Sequence, residues 1–153
     1  MGPPPHRRGR GDPRGGASAG ARRRYQLQAA IAAVHAEAPR SEDTDWAQIV
    51  VLYAMLDDVA PSPAVTLNRA VAIGMSTGPG AGLEALQPLL DDPAMDRYHR
   101  LHAVRAHLLE LSGDVGAAEG AYARAAELTR SKPEQRYLAR RLARLRKEGA
   151  TRG

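Results

Sequence analysis

Three histidines, His99, His102 and His107, lie close enough in sequence to be considered as metal ligands. On one helix His99 and His102, three apart, share a face, whereas His107 falls about 140° further round from His102. No fitted carboxylate or cysteine pattern accompanies them, and His-Glu-x-x-His is absent, so surface or core-edge histidines are the better reading. Glu42, Asp43 and Asp45 form an acidic cluster, but the loop lacks the glycine and the distal glutamate of an EF-hand. Helix capping and dipole roles account for them. Gly78-Pro79-Gly80-Ala81-Gly82 follows no strand and precedes no Lys-Ser/Thr, which leaves an inter-helix turn rather than a phosphate cradle. Asp57-Asp58 and Asp91-Asp92 are adjacent pairs, and adjacent helical residues do not share a face for concerted acid–base work. Cysteine is absent and no Gly-x-Ser-x-Gly occurs. The expectation is a non-enzyme with no cofactor and no metal.

The elements that would carry these residues are helices throughout. Tyr25 to Ala38 sets Leu27, Ile31 and Val34 on one face and ends at Pro39. Thr44 or Asp45 caps a second helix from Trp46 to about Ala60, stopped by Pro61. Ser62-Pro63 opens a third, to about Met75, and Gly78-Pro79-Gly80 separates it from a short fourth carrying Leu83, Leu86, Leu89 and Leu90. Asp96 is the expected start of a fifth helix, closed by Gly113, and Asp114 caps a sixth. Ser131 and Glu134 have capping-box spacing for a seventh. No stretch alternates as a half-buried strand does. The fold class is all-α.

Charge divides the 153 residues into three parts. Residues 1–24 have a net charge of +6, residues 25–129 of −8 and residues 130–153 of +7. The acidic body excludes a uniformly basic nucleic-acid-binding domain. Residues 1–24 are dominated by Gly, Pro, Arg and Ala without apolar periodicity, so they and residues 149–153 are expected to be disordered tails flanking one helical domain at 25–148. No apolar run reaches the length of a membrane-spanning helix, and the arginine-rich start lacks the apolar core of a secretory signal, which points to the cytoplasm.

Tyr53, Gln87 and Tyr122 stand 34 and 35 residues apart. Ile49, Leu83 and Ala118 precede them by four, while Leu56, Leu90 and Ala125 follow by three. This pattern resembles the tetratricopeptide repeat, a helix–turn–helix unit of about 34 residues. The resemblance implies a right-handed array of about seven helices: two fair units, one degenerate unit and a capping helix. Such arrays build extended surfaces for partners.

A second resemblance is more specific. Tyr25-Gln26-Leu27-Gln28-Ala29-Ala30-Ile31-Ala32-Ala33-Val34-His35, Thr44-Asp45-Trp46, Leu67-Asn68-Arg69-Ala70-Val71-Ala72, Arg100-Leu101-His102-Ala103-Val104-Arg105-Ala106 and Pro133-Glu134-Gln135-Arg136-Tyr137-Leu138 occur in this order. Together they look like the C-terminal extension of a group of bacterial extracytoplasmic-function sigma factors. In that family the extension follows two domains that bind core RNA polymerase and read the −10 and −35 promoter elements. The resemblance spans residues 25–145 and stops at Arg23-Arg24, where the family typically has Gly-Pro. It implies a truncated or frame-shifted sigma factor whose remaining part supports or regulates transcription through protein contacts, DNA being reached only through the missing domains.

Candidate partner contacts are Asn68 and Arg69 on the first helix of a unit, with His102 and Arg105 one unit on; Asp45-Trp46 is a further signature patch. Arg136, Arg140, Arg144 and Lys147 give helix seven a basic face. The expected partner is a protein, RNA polymerase or sigma-factor domains, with no membrane. An alternative from another class is a small nucleic-acid-binding protein that uses the basic ends.

Overall fold

The computed structural model describes residues 13–152. They form seven α-helices: α1 (Pro13–Glu37), α2 (Trp46–Val59), α3 (Pro63–Ser76), α4 (Pro79–Leu90), α5 (His99–Ser112), α6 (Val115–Leu128) and α7 (Lys132–Arg152). Short 3-10 turns at Ser41–Asp43 and Pro93–Met95 precede α2 and α5. No strand occurs among the described residues. Each helix packs on the next in sequence, and α3 also meets α5, so the chain is an all-α stack of helical pairs.

The breaks lie where local chemistry puts them. Asp45 accepts from the Gln48 amide at 3.1 Å, Ser62 from Val65 at 3.2 Å and Asp114 from Ala117 at 3.2 Å, each satisfying an amide with no intrahelical partner. Gly113 ends α5 at φ 87°, and the Asp114 amide reaches back to the Leu109 carbonyl, a closure that requires a left-handed residue. The expected capping box at α7 forms only by half. Ser131 accepts from the Glu134 amide, while the Glu134 carboxylate turns to the Thr129 hydroxyl and His99.

Three apolar clusters run along the stack. Leu27, Ile31 and Val34 of α1 pack with Ile49, Leu56, Val65 and Ala72. Leu67, Ala70, Leu86, Leu89, Leu101 and Leu108 join α3, α4 and α5. Ala106, Leu109, Ala118, Ala121, Tyr122, Ala125, Leu138 and Leu145 join α5, α6 and α7. The last cluster is rich in alanine because small side chains let α6 approach its neighbours closely.

Several boundaries differ from those expected from sequence. Helix α1 does not start at Tyr25 but continues back to Pro13, so residues 13–24 are not a disordered tail here. Pro13 suits the first turn, and arginine and alanine prolong a helix already anchored downstream. Over residues 21–24, which are exposed, that extension is supported by propagation rather than packing. Likewise α7 runs to Arg152 through the expected tail at 149–153. Residues 1–12 and Gly153 lie outside the described residues. Helix α5 starts at His99, not at Asp96, because Pro93 sets a 3-10 turn whose closing carbonyls Asp96 helps to satisfy.

The middle repeat is displaced by one residue. The buried set of α4 is Gly82, Leu86 and Leu89, whereas Gln87 is exposed and Leu83 and Leu90 are only partly buried. Its partners are therefore Ile49-Tyr53-Leu56 and Ala118-Tyr122-Ala125, with the same spacing of four and then three. Glycine is the small residue of this unit. A Cβ at Gly82 would lie 2.8 Å from the Ala70 carbonyl oxygen and 3.0 Å from the Gly74 Cα, which shows how closely α4 crosses α3.

Candidate interaction groove

Between α1, α2 and α3 lies a groove of about 420 Å³. Ile31 and Ala32 of α1, Leu56 of α2 and Val65 of α3 supply its apolar lining, while Gln28, His35, Tyr53 and Asn68 bring polar groups to it. The spacing of Gln28, Ile31 and His35 keeps them on one side of α1, and the proline breaks at 39 and 61 fold α2 and α3 against it. Burial pushes the Tyr53 phenol above its ordinary pKa, and the Arg100 charge acts in the opposite sense. Tyr53 therefore offers a neutral hydroxyl at physiological pH. Taken together, the lining is an apolar trough with a few hydrogen-bonding groups, which suits a peptide segment or a domain edge.

Asn68 and Arg69 do not act as a pair. Consecutive helical residues diverge by about 100°, and only Asn68 faces this groove. Arg69 lines a separate cleft of about 400 Å³ with Asp57, Thr66, Ile73, Ala85 and Pro88. Its Nε is buried and has no hydrogen-bond partner among the described residues. Pro88 lies inside α4 on an exposed position, where its lack of an N–H leaves the Glu84 carbonyl without its intrahelical donor.

The other candidates are dispersed. Asp45 caps α2. Trp46 packs edge-on against His35, with ring centroids 5.3 Å apart, and so ties α2 to α1 beside the groove. His102 Nε2 lies 2.6 Å from the Asp96 carbonyl oxygen and holds the turn before α5. Arg105 is half-buried on α5 and lines neither of the clefts that hold Asn68 and Arg69. On α7, Arg136, Arg140 and Lys147 are exposed. Arg144 instead reaches Glu110 at 3.4 Å and Glu148 at 3.8 Å.

The three histidines also separate. His99 pairs with Glu134 at 3.3 Å and His102 serves the turn, while burial, assisted by the Arg141 charge, holds His107 below its ordinary pKa. No group of three or more His, Cys, Asp or Glu is arranged to hold a metal ion among the described residues. No helix among them is long and apolar enough to cross a membrane.

Sequence reasoning missed His35 and Gln28 as groove residues, although both lie in the Tyr25–His35 run, and it treated Tyr53 only as a repeat marker. It also missed a polar hub at the other end of the stack. Glu110 Oε2 accepts from the Tyr122 hydroxyl at 2.7 Å and from Arg141 at 2.6 Å, while Oε1 meets Arg144 at 3.4 Å. Burial opposes ionisation of Glu110, but its hydrogen bonds and the Arg141 charge outweigh that and lower its pKa. Tyr122 is pushed up to about 12, by burial first and then by its bond to Glu110. This hub fastens α5, α6 and α7 together.

An uncharacterized protein of Rhizobium meliloti (strain 1021) is 43% identical over 127 residues, which are 83% of this chain and 30% of that protein. The chain thus spans less than a third of the relative's length. No family model matches the chain, and no solved structure matches it.

Proposed function

We propose that this chain is a non-catalytic protein-interaction module, the tetratricopeptide-like extension of an extracytoplasmic-function sigma factor acting with RNA polymerase in the cytoplasm. The observation that carries the interaction reading is the groove between α1, α2 and α3, where an apolar trough combines with His35, Tyr53 and Asn68. The sigma-factor assignment rests on the resemblance across residues 25–145. It is supported by a Rhizobium meliloti relative that has most of its length outside the matched segment, room enough for promoter-reading domains. Mechanistically, the stacked helices form a rigid frame, so a partner segment entering the groove orders few residues of the array itself and binding loses little to conformational entropy.

The test uses the full chain, labelled with a fluorophore, against two probes: purified bacterial core RNA polymerase, and the part of the Rhizobium meliloti relative outside the matched segment. Saturable binding to either, weakened about tenfold by Asn68→Ala combined with His35→Ala, is the expected result, equivalent to about 1.4 kcal/mol. Failure to bind both probes, with the helical circular dichroism spectrum intact, overturns the sigma-factor reading. Binding that ignores the groove substitutions moves the contact surface elsewhere, and Arg69→Ala then tests the second cleft.

A further inference from the structure

Helix α7 has two unlike sides. Leu138 and Leu145 are almost fully buried against α5 and α6, with Leu142 partly buried beside them. On the opposite side Lys132, Arg136, Arg140 and Lys147 are all exposed. At 100° per residue these four fall within an arc of roughly 80°, and at 1.5 Å per residue they extend over about 22 Å. They are a straight row of cations, not a scatter.

The acidic groups nearby are committed to other bases. Glu110 takes Arg141 and Arg144, Glu119 meets Arg146, Glu134 meets His99 and Glu148 meets Arg144. None of the four cations in the row has a carboxylate within 4.0 Å among the described residues. Residues 25–129 carry a net charge of −8, so the row is set apart from an acidic body rather than being part of a generally basic surface.

We propose that this row is a docking surface for the phosphate backbone of duplex DNA. Three classes of polyanion compete for such a surface, and the geometry separates them. A membrane-surface helix needs a free apolar face to sink between lipids, and the apolar face of α7 is already used by the core. Protein interfaces are depleted in lysine and in charge at their centres, whereas here the residue within the arc between Arg140 and Lys147 is Ala143, which offers little to bury. Duplex DNA has one charge per about 1.7 Å of a stiff axis, about twice the charge density of one strand, so a rigid row of cations about 22 Å long meets more fixed phosphates on it than on a flexible single strand. A contact to phosphate carries no direct sequence information, so the binding is sequence-independent. This inference does not depend on the groove or on the sigma-factor reading.

The test is fluorescence anisotropy of a short labelled duplex with the full chain, titrated over a range of salt concentrations. Substituting glutamine at Lys132, Arg136, Arg140 and Lys147 together should weaken binding at low salt by at least about tenfold. It should also flatten the slope of log K against log salt by up to about 3.6, the value for four released counterions. Replacing Arg136 and Arg140 by lysine should preserve both. Unchanged affinity and slope in the glutamine variant overturn the proposal, since the charge would then act elsewhere, as in the arginines before Tyr25. Tighter binding of a single strand than of the duplex also overturns it. If the fourfold variant loses helicity, the R136Q/R140Q pair carries the same test, with a slope change of up to about 1.8.

Discussion

Glu110 and Arg141, 31 residues apart in sequence, lie 2.6 Å apart and join α5 to α7 across the end of the stack. The Tyr122 hydroxyl of α6 donates to the same carboxylate oxygen at 2.7 Å. One carboxylate thus fastens three helices. Glu110 and Arg141 side chains retain only 17% and 21% of their exposure, so solvent screens the pair weakly.

Removing the carboxylate should therefore cost more than breaking an ordinary surface pair. Glu110→Ala leaves the Tyr122 hydroxyl and the Arg141 guanidinium without their acceptor. The expected loss is about 2–3 kcal/mol, below the full cost of a deeply buried pair because some exposure remains. Urea unfolding should show it as a lower midpoint at constant slope. A loss under about 0.5 kcal/mol, the size of a surface pair, would mean that the hub is decorative.

Tyr122 sets an alkaline limit. Its folded pKa, about 12, lies above its ordinary 10.0. Its contribution is therefore fully present below pH 10 and lost as pH rises from 10 through 12. The two-unit difference corresponds to about 2–3 kcal/mol. Thermal melts between pH 9 and 11.5 should decline more steeply for the native chain than for Tyr122→Phe, which has no proton to lose. Parallel curves would assign the alkaline loss to other groups.

Acid should act in two stages. The folded pKa of His107 lies below its ordinary 6.5, so its contribution is present above 6.5 and is lost as pH falls through the folded value. Glu110 follows the same sign at lower pH, beginning near its ordinary 4.5. His107→Gln should abolish the first decline and leave the second, a difference readable in denaturant midpoints from pH 7 to pH 3.

The helix breaks were legible because each is decided within a few residues: Pro39, Pro61, Ser62-Pro63, Gly113 and Asp114 act on their own neighbours. What was not legible depends on separation in the chain. Glu110 finds Arg141 only after two turns of the array have closed, and nothing local at either residue announces the other. Asn68 and Arg69 look like a pair in sequence, yet the helix angle sends one to the α1–α2–α3 groove and the other to the α2–α3–α4 cleft. The groove itself was half visible. Asn68 came from repeat logic, but Tyr53 was read as packing, and a half-buried tyrosine serves both ends. Helix α1 upstream of Tyr25 escaped notice because arginine and alanine extend a helix without leaving an apolar stripe.

The one-residue displacement in α4 makes a prediction about glycine. Repeat spacing alone puts Leu83 at the small-residue column, and by that reading Gly82 would accept a methyl group. In the structure a Cβ at Gly82 meets backbone atoms, the Ala70 carbonyl oxygen at 2.8 Å and the Gly74 Cα at 3.0 Å, and backbone cannot swing aside. Gly82→Ala should cost about 1–3 kcal/mol by forcing α4 away from α3. At Gly74 the nearest obstacle is the Leu108 Cδ2, 2.5 Å from the built Cβ, and Leu108 is fully buried, so Gly74→Ala should also destabilise through side-chain crowding. Gly116 and Gly120 of α6 have nothing within 4 Å of an added Cβ. There the same substitution only removes backbone freedom and should stabilise by about 0.5–1 kcal/mol each. Chemical denaturation of the four single variants measures all of this. Destabilisation at 82 and 74 with gains at 116 and 120 supports the close α3–α4 crossing. A gain at Gly82 would return the repeat to its regular spacing and separate the two helices.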